Sequence, residues 1–174
     1  SDRSAHSSQR LRFHLLDKKT AKVLDAKMEM KVSEPVANGC FGAYLANNPD
    51  LEALVADPDN DNILYLVTED ASESSLAQGL CKQRYANSGS TDYPTLLVRL
   101  ELQTDGTALM TNVRPLQFSE DLQVGNFPND GIEAMAFGPQ RSLYLGLEKD
   151  QNGKARIFNM KMGGDFWLSD DFAK

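Results

Sequence analysis

Four glutamates recur in register along this 174-residue chain. Glu52 lies within Asp50-Leu51-Glu52-Ala53-Leu54-Val55-Ala56-Asp57-Pro58. Glu133 holds the same place in Gly131-Ile132-Glu133-Ala134-Met135-Ala136-Phe137-Gly138-Pro139. Glu69 closes Leu64-Tyr65-Leu66-Val67-Thr68-Glu69, and Glu148 closes Leu143-Tyr144-Leu145-Gly146-Leu147-Glu148. Carboxylates that a repeat draws together repel one another unless they share a proton or a cation. An all-oxygen donor set suits a hard cation, and Ca²⁺, which takes about six to eight oxygens, is its natural occupant. Glu52 and Glu133 are therefore the candidate metal ligands, with Glu69 and Glu148 as candidate ligand-binding groups. The competing reading is structural: each Glu accepts backbone hydrogen bonds from a neighbouring unit.

Other chemistry finds less support. The run Asp57-Pro58-Asp59-Asn60-Asp61-Asn62 places acids at alternate positions, as calcium loops do. It fails the EF-hand pattern, because Asn62 stands where Gly is required and Thr68 where the bidentate Glu belongs. A solvent-exposed hairpin turn is the better reading. No G-x-S-x-G, H-E-x-x-H, P-loop or G-x-G-x-x-G motif is present. Of the two histidines, His6 lies in a polar tail and His14 on the polar side of an alternating strand. No catalytic residue is assigned. Phe166, Trp167 and Phe172 form an aromatic-acidic stretch that reads as an edge strand or cover.

The elements that carry the glutamates follow from hydrophobic period. Alternation of apolar and polar residues marks strands at Leu11 to Leu15 and Leu96 to Leu102. Each is followed by a polar turn, Asp17-Lys18-Lys19-Thr20 or Thr104-Asp105-Gly106-Thr107, and then by a strand, Val23 to Val32 or Leu109 to Phe118. Asp-Gly at such a turn is a strong hairpin signal. Leu51 to Ala56 is apolar almost throughout, as expected of a strand buried on both faces. Ile63 to Thr68 follows it. The second copy supplies Ile132 to Phe137, Leu143 to Leu147 and Arg156 to Met160. Ser75 to Ala86 reads as a short helix interrupted by Gly79.

These units predict an all-β fold built of β-propeller blades, each of four antiparallel strands. Residues 1–9 form a tail and 10–174 the propeller part: a half blade at 10–34, a full blade at 50–118 with an insertion at 70–93, and a further blade at 131–174. That is about two and a half blades, whereas closed rings hold roughly four to eight. The expected partners are the remainder of a longer chain or other subunits that complete the ring.

Net charge is −7 and sequence pI near 4.8. A nucleic-acid partner is not expected, because phosphate binding needs clustered Lys and Arg. No apolar run reaches the ~18 residues of a membrane span. Ser1 to Gln9 is polar and lacks an apolar signal core, so any export signal is expected to have been removed already. The absence of an Asn-x-Ser/Thr acceptor favours a bacterial source. Cys40 and Cys81 form one disulfide or remain two thiols; their spacing leaves both open.

The paired motifs at Asp50 to Glu69 and Asp130 to Glu148 resemble the repeating signature of phytase-like β-propellers, described as having esterase-like activity of phytase. The related SdiA-regulated propellers are similar. The resemblance implies an exported bacterial protein, extracellular or periplasmic, with a Glu-lined central channel, often with Ca²⁺. By motif match, Glu52 and Glu133 are the channel carboxylates. The family's Gly after the first Glu is Ala here, at Ala53 and Ala134, and no Lys/Arg phosphate cluster is evident. Two functions follow as expectations. One is a ligand- or partner-binding module with an acidic calcium channel; the other is a metal-dependent ester or phosphoester hydrolase.

Overall fold

A computed structural model of the chain describes residues 6, 10–47, 49–69, 79–85, 94–124, 131–163 and 166–167. The fold is mostly β, as the alternating segments predict. A hairpin of β1 (Arg12–Leu16) and β2 (Val23–Val32) leads to two short helices, α1 (Glu34–Ala37) and α2 (Gly42–Asn47). Next come β3 (Leu51–Asp57), β4 (Asn60–Thr68), α3 (Gly79–Arg84), β5 (Leu96–Leu102) and β6 (Ala108–Pro115). The second copy contains β7 (Ile132–Phe137), β8 (Ser142–Leu147) and β9 (Arg156–Lys161).

Strands β3 to β6 pair in chain order, each antiparallel to the next. Strands β7 to β9 form a separate three-stranded antiparallel sheet. The N-terminal hairpin, expected as the outer half of a preceding unit, instead extends the first sheet. β2 pairs in parallel with β6, Met30–Val32 against Ala108–Met110, and gives a curled six-stranded sheet of order β1-β2-β6-β5-β4-β3. Met30, Ala108 and Met110 are all buried in one apolar layer, and that shared burial holds the hairpin in place.

Two cores flank the first sheet. On β4, Leu64 and Leu66 point to the layer made with α1, α2 and the hairpin, where Val36, Phe41, Tyr44 and Leu45 are buried. Ile63, Tyr65 and Val67 point the other way. They meet Ile132, Leu143, Leu145 and Leu147 of the second sheet. The period of two thus divides one strand between two cores. β4 is buried on both faces, whereas β3, for which the apolar run predicts it, is not. β4 is paired on both edges and covered on both faces, whereas β3 has one hydrogen-bonded neighbour and leaves Leu54 46% exposed.

The link before β3 is more ordered than its Gly and Pro content suggests. Pro35 falls in the first turn of α1, where a missing N–H costs nothing. Of the helix expected over 75–86, residues 79–84 form α3, Tyr85 lies in a turn, and 75–78 and 86 lie outside the described residues. Among the described residues no helix is long and apolar enough to cross a membrane.

Cys40 and Cys81 are bonded, their Cα atoms 5.7 Å apart and 41 positions apart in sequence. The bond ties α3 to the loop between α1 and α2, and beside it Phe41 of that loop packs at a tilt on Tyr85, which follows α3, with centroids 5.3 Å apart. Closing a loop of that length removes about 4 kcal/mol of chain entropy from the unfolded state. The double variant Cys40→Ala/Cys81→Ala is expected to lose about 2–4 kcal/mol in urea unfolding, and reductant should lower the parent protein to a similar stability.

Candidate functional site

The site forms where β3 lies against β7. Both strands carry the same irregularity. β3 pairs Leu51 with Thr68 and then Ala53 with Val67, so Glu52 is the extra residue of a bulge. β7 pairs Ile132 with Leu147 and then Ala134 with Gly146, so Glu133 is the extra residue of an equivalent bulge. A bulge locally disrupts the ladder and re-aims a side chain. The backbone repeats as well. The N–H of Glu69 donates to the carbonyl of Asp50 at 3.1 Å, and that of Glu148 to the carbonyl of Gly131 at 3.2 Å.

Side by side, the two units bring five carboxylates together. Oxygens of Asp50, Glu52 and Glu69 lie within 4.8 Å of one another, as do those of Glu69, Glu133 and Glu148. All four predicted glutamates are therefore in one cluster, with Glu69 common to both groups. Asp50 and Glu69 are buried, Glu52 is half-buried, and Glu133 and Glu148 are exposed. Asp50 is the member that in-register reading misses, because its counterpart in the second copy is Gly131. Space explains that glycine. A Cβ at position 131 would sit 2.5 Å from the Glu69 carbonyl oxygen and 2.7 Å from its Cγ.

Burial chiefly pushes the Glu69 carboxyl up to about 8, and the charges of Glu133, Glu52 and Asp50 add to it. Burial, then Glu133 and Asp50, push Glu52 up to about 7. Near neutral pH the cluster therefore holds protons that isolated carboxylates would have released. A cation entering it would take their place.

The opposite ends of β3 and β7 also meet, so the two strands run in the same direction. Arg141, in the turn after β7, donates to both carboxylate oxygens of Asp57, at 3.0 and 2.7 Å, and also bonds Asp59. The Tyr65 hydroxyl donates to Asp57 at 2.7 Å, and the Asp59 N–H at 2.9 Å. Arg141 and these donors hold the Asp57 carboxyl far below the usual carboxylate range. Burial beside Asp57 pushes the Tyr65 hydroxyl up to about 12. The turn tip, Pro58 to Asn62, is exposed as expected, but Asp57 points inward and is not part of a solvated loop.

His14 is exposed on β1. Phe166 and Trp167 pack in a turn against the second core, not as an edge strand, and Phe172 lies outside the described residues. No protein-family model, curated protein or solved structure matches this chain.

Both glutamate shifts are upward from the ordinary 4.5. The folded state then binds protons more tightly than the unfolded one. The stability this confers is complete below about pH 4.5 and is lost as pH rises through 7 and 8. Urea unfolding in EDTA should show stability falling over that window, and Glu69→Gln should flatten the fall. Arg141→Met strands the buried Asp57 carboxylate and is expected to cost about 2–4 kcal/mol in the same measurement.

Proposed function

We propose that this chain is part of an exported β-propeller module of the phytase-like type, whose acidic centre binds Ca²⁺ and which serves to bind a ligand or partner. The observation that carries this reading is the convergence of two equivalent bulges, at Glu52 and Glu133, on one cluster. Equivalent segments lying side by side in the same direction are what adjacent propeller blades require. Further blades would come from a longer chain or from other subunits. The half-open β3, with Leu54 46% exposed, and Ile157 on β9, 79% exposed, are surfaces such neighbours would cover. Export is supported by the Cys40–Cys81 bond, since disulfides persist in oxidising compartments.

The donor set fits the cation. Asp50, Glu52, Glu69, Glu133 and Glu148 offer only carboxylate oxygens, the chemistry of hard divalent ions. When bound, Ca²⁺ would supply neutralising charge and, toward an ester, Lewis acidity. Glu69 and Glu52, which retain protons near neutrality, would release them on binding, so affinity rises with pH.

One feature favours the alternative, a metal-dependent phosphoesterase. A 170 Å³ cavity beside Glu52 is also lined by Arg12, Phe13 and Leu54. Arg12 there offers a guanidinium to an anionic group next to the carboxylates, the bidentate pairing that phosphate favours. In this reading Arg12 orients the ester and the glutamates hold the cation.

Calcium at about a hundredfold over its dissociation constant should stabilise the protein by about 2.7 kcal/mol, a rise in Tm of roughly 5–10 °C. Glu52→Gln and Glu133→Gln should each shrink that rise. An undiminished rise in both variants refutes the site. For the hydrolase, turnover of p-nitrophenyl phosphate should vanish with EDTA and with Glu133→Gln, and Arg12→Ala should raise KM. Turnover indifferent to chelator refutes it.

A further inference from the structure

At the other end of β3 and β7 lies a second cavity of about 440 Å³, remote from the acidic cluster. Five residues of strand separate Glu52 from Asp57, or roughly 17 Å. Asp57, Asp59, Asn60, Arg99 and Arg141 contribute to its walls, together with the rings of Tyr65 and Trp167. We infer that this cavity binds a neutral, hydroxyl-rich ligand, a mono- or disaccharide.

Charge balance argues for neutrality. The walls hold two aspartates and two arginines. Arg141 is engaged by Asp57 and Asp59, and Arg99 by Glu101 and by Thr111 at 2.8 Å. An anion would have to displace these carboxylates, and a cation these guanidiniums. A sugar requires neither. Its neighbouring hydroxyls each donate and accept, and planar carboxylate, amide and guanidinium groups present paired acceptors and donors at matching spacing. Asp59 and Asn60 are exposed at the rim, where such groups are within reach of an incoming ligand.

The apolar part of the cavity is built to the same end. Trp167 lies parallel to Tyr65, with 2° between the planes and centroids 6.3 Å apart. Phe166 meets Trp167 edge-on at 4.9 Å, and Phe137 meets Tyr65 edge-on at 5.5 Å. The indole is thus held by neighbouring rings, and the C–H face of a pyranose packs on an aromatic surface of this kind. The volume falls in the range of small-ligand sites. A preset platform and a preset ion-pair wall lower the ordering cost of binding.

Trp167 is the chain's single tryptophan, so its emission reports on this cavity alone. Titrating the whole chain in EDTA with cellobiose, maltose and N,N′-diacetylchitobiose should give a saturable change in Trp167 emission with at least one of them. Arg99→Met and Asn60→Ala should each weaken that binding at least fivefold while leaving the Tm in the absence of sugar within a few degrees. The inference is overturned if none of the three sugars gives a saturable change. It is also overturned if both variants bind as the parent does, or if inorganic phosphate produces the same change at lower concentration. Because the titration is done in chelator, failure here leaves the calcium site standing, and failure of the calcium site leaves this cavity standing.

Discussion

Burial of the apolar face shared by the two sheets is the constraint on which the rest depends. Ile63, Tyr65, Val67 and Leu97 of one sheet and Ile132, Leu143, Leu145 and Leu147 of the other share one core, closed at its margins by Leu116, Phe118, Val124 and Met162. Apolar surface removed from water, at about 25 cal/mol per Å², favours this contact, and a local electrostatic penalty opposes it. That penalty is real. Aligning two copies of one motif in the same direction sets like carboxylates against like, and the raised Glu52 and Glu69 carboxyls record the repulsion together with burial. The hydrophobic contact assembles an acidic site that the acids alone would never form.

The two copies meet through different faces, and they differ where that matters. Asp50 is matched by Gly131, which leaves room for Glu69 of the first copy, and Asp57 by Gly138, which leaves room for Tyr144 of its own copy. The second copy in turn supplies Arg141, which reaches back across the interface to Asp57. Gln140 and Arg141 both adopt left-handed backbone, with φ of 57°. Such a conformation costs a non-glycine residue roughly 1–2 kcal/mol. The three charge-assisted contacts of Arg141 with Asp57 and Asp59 offset that cost and fix the approach of the second sheet. One end of the interface is thus repulsive, and the other is attractive, its acids held by guanidinium groups.

This polarity gives the interface two chemically distinct ends. The acidic end holds protons near neutrality, so its charge state depends on pH. At the other end every charge already has a partner, and an aromatic platform is held in place beside them. The disulfide works elsewhere: it secures the helical layer on the far face of the first sheet, away from both ends.

Much of this was legible in the sequence. The repeat located the strands: β5 runs over the residues that alternation assigns it, and β7 over those that the second copy assigns it. It also selected Glu52, Glu69, Glu133 and Glu148. Register along a chain is a local property, and strand period and motif copy number express it directly. Which faces meet is not local. Only the packed structure joined β2 to β6, covered β4 on both faces while leaving β3 half open, paired Cys40 with Cys81, drew Asp50 into the cluster and turned Asp57 toward Arg141. Each of these depends on contacts between residues far apart in the chain, set by shape and burial, which one-dimensional patterns do not encode.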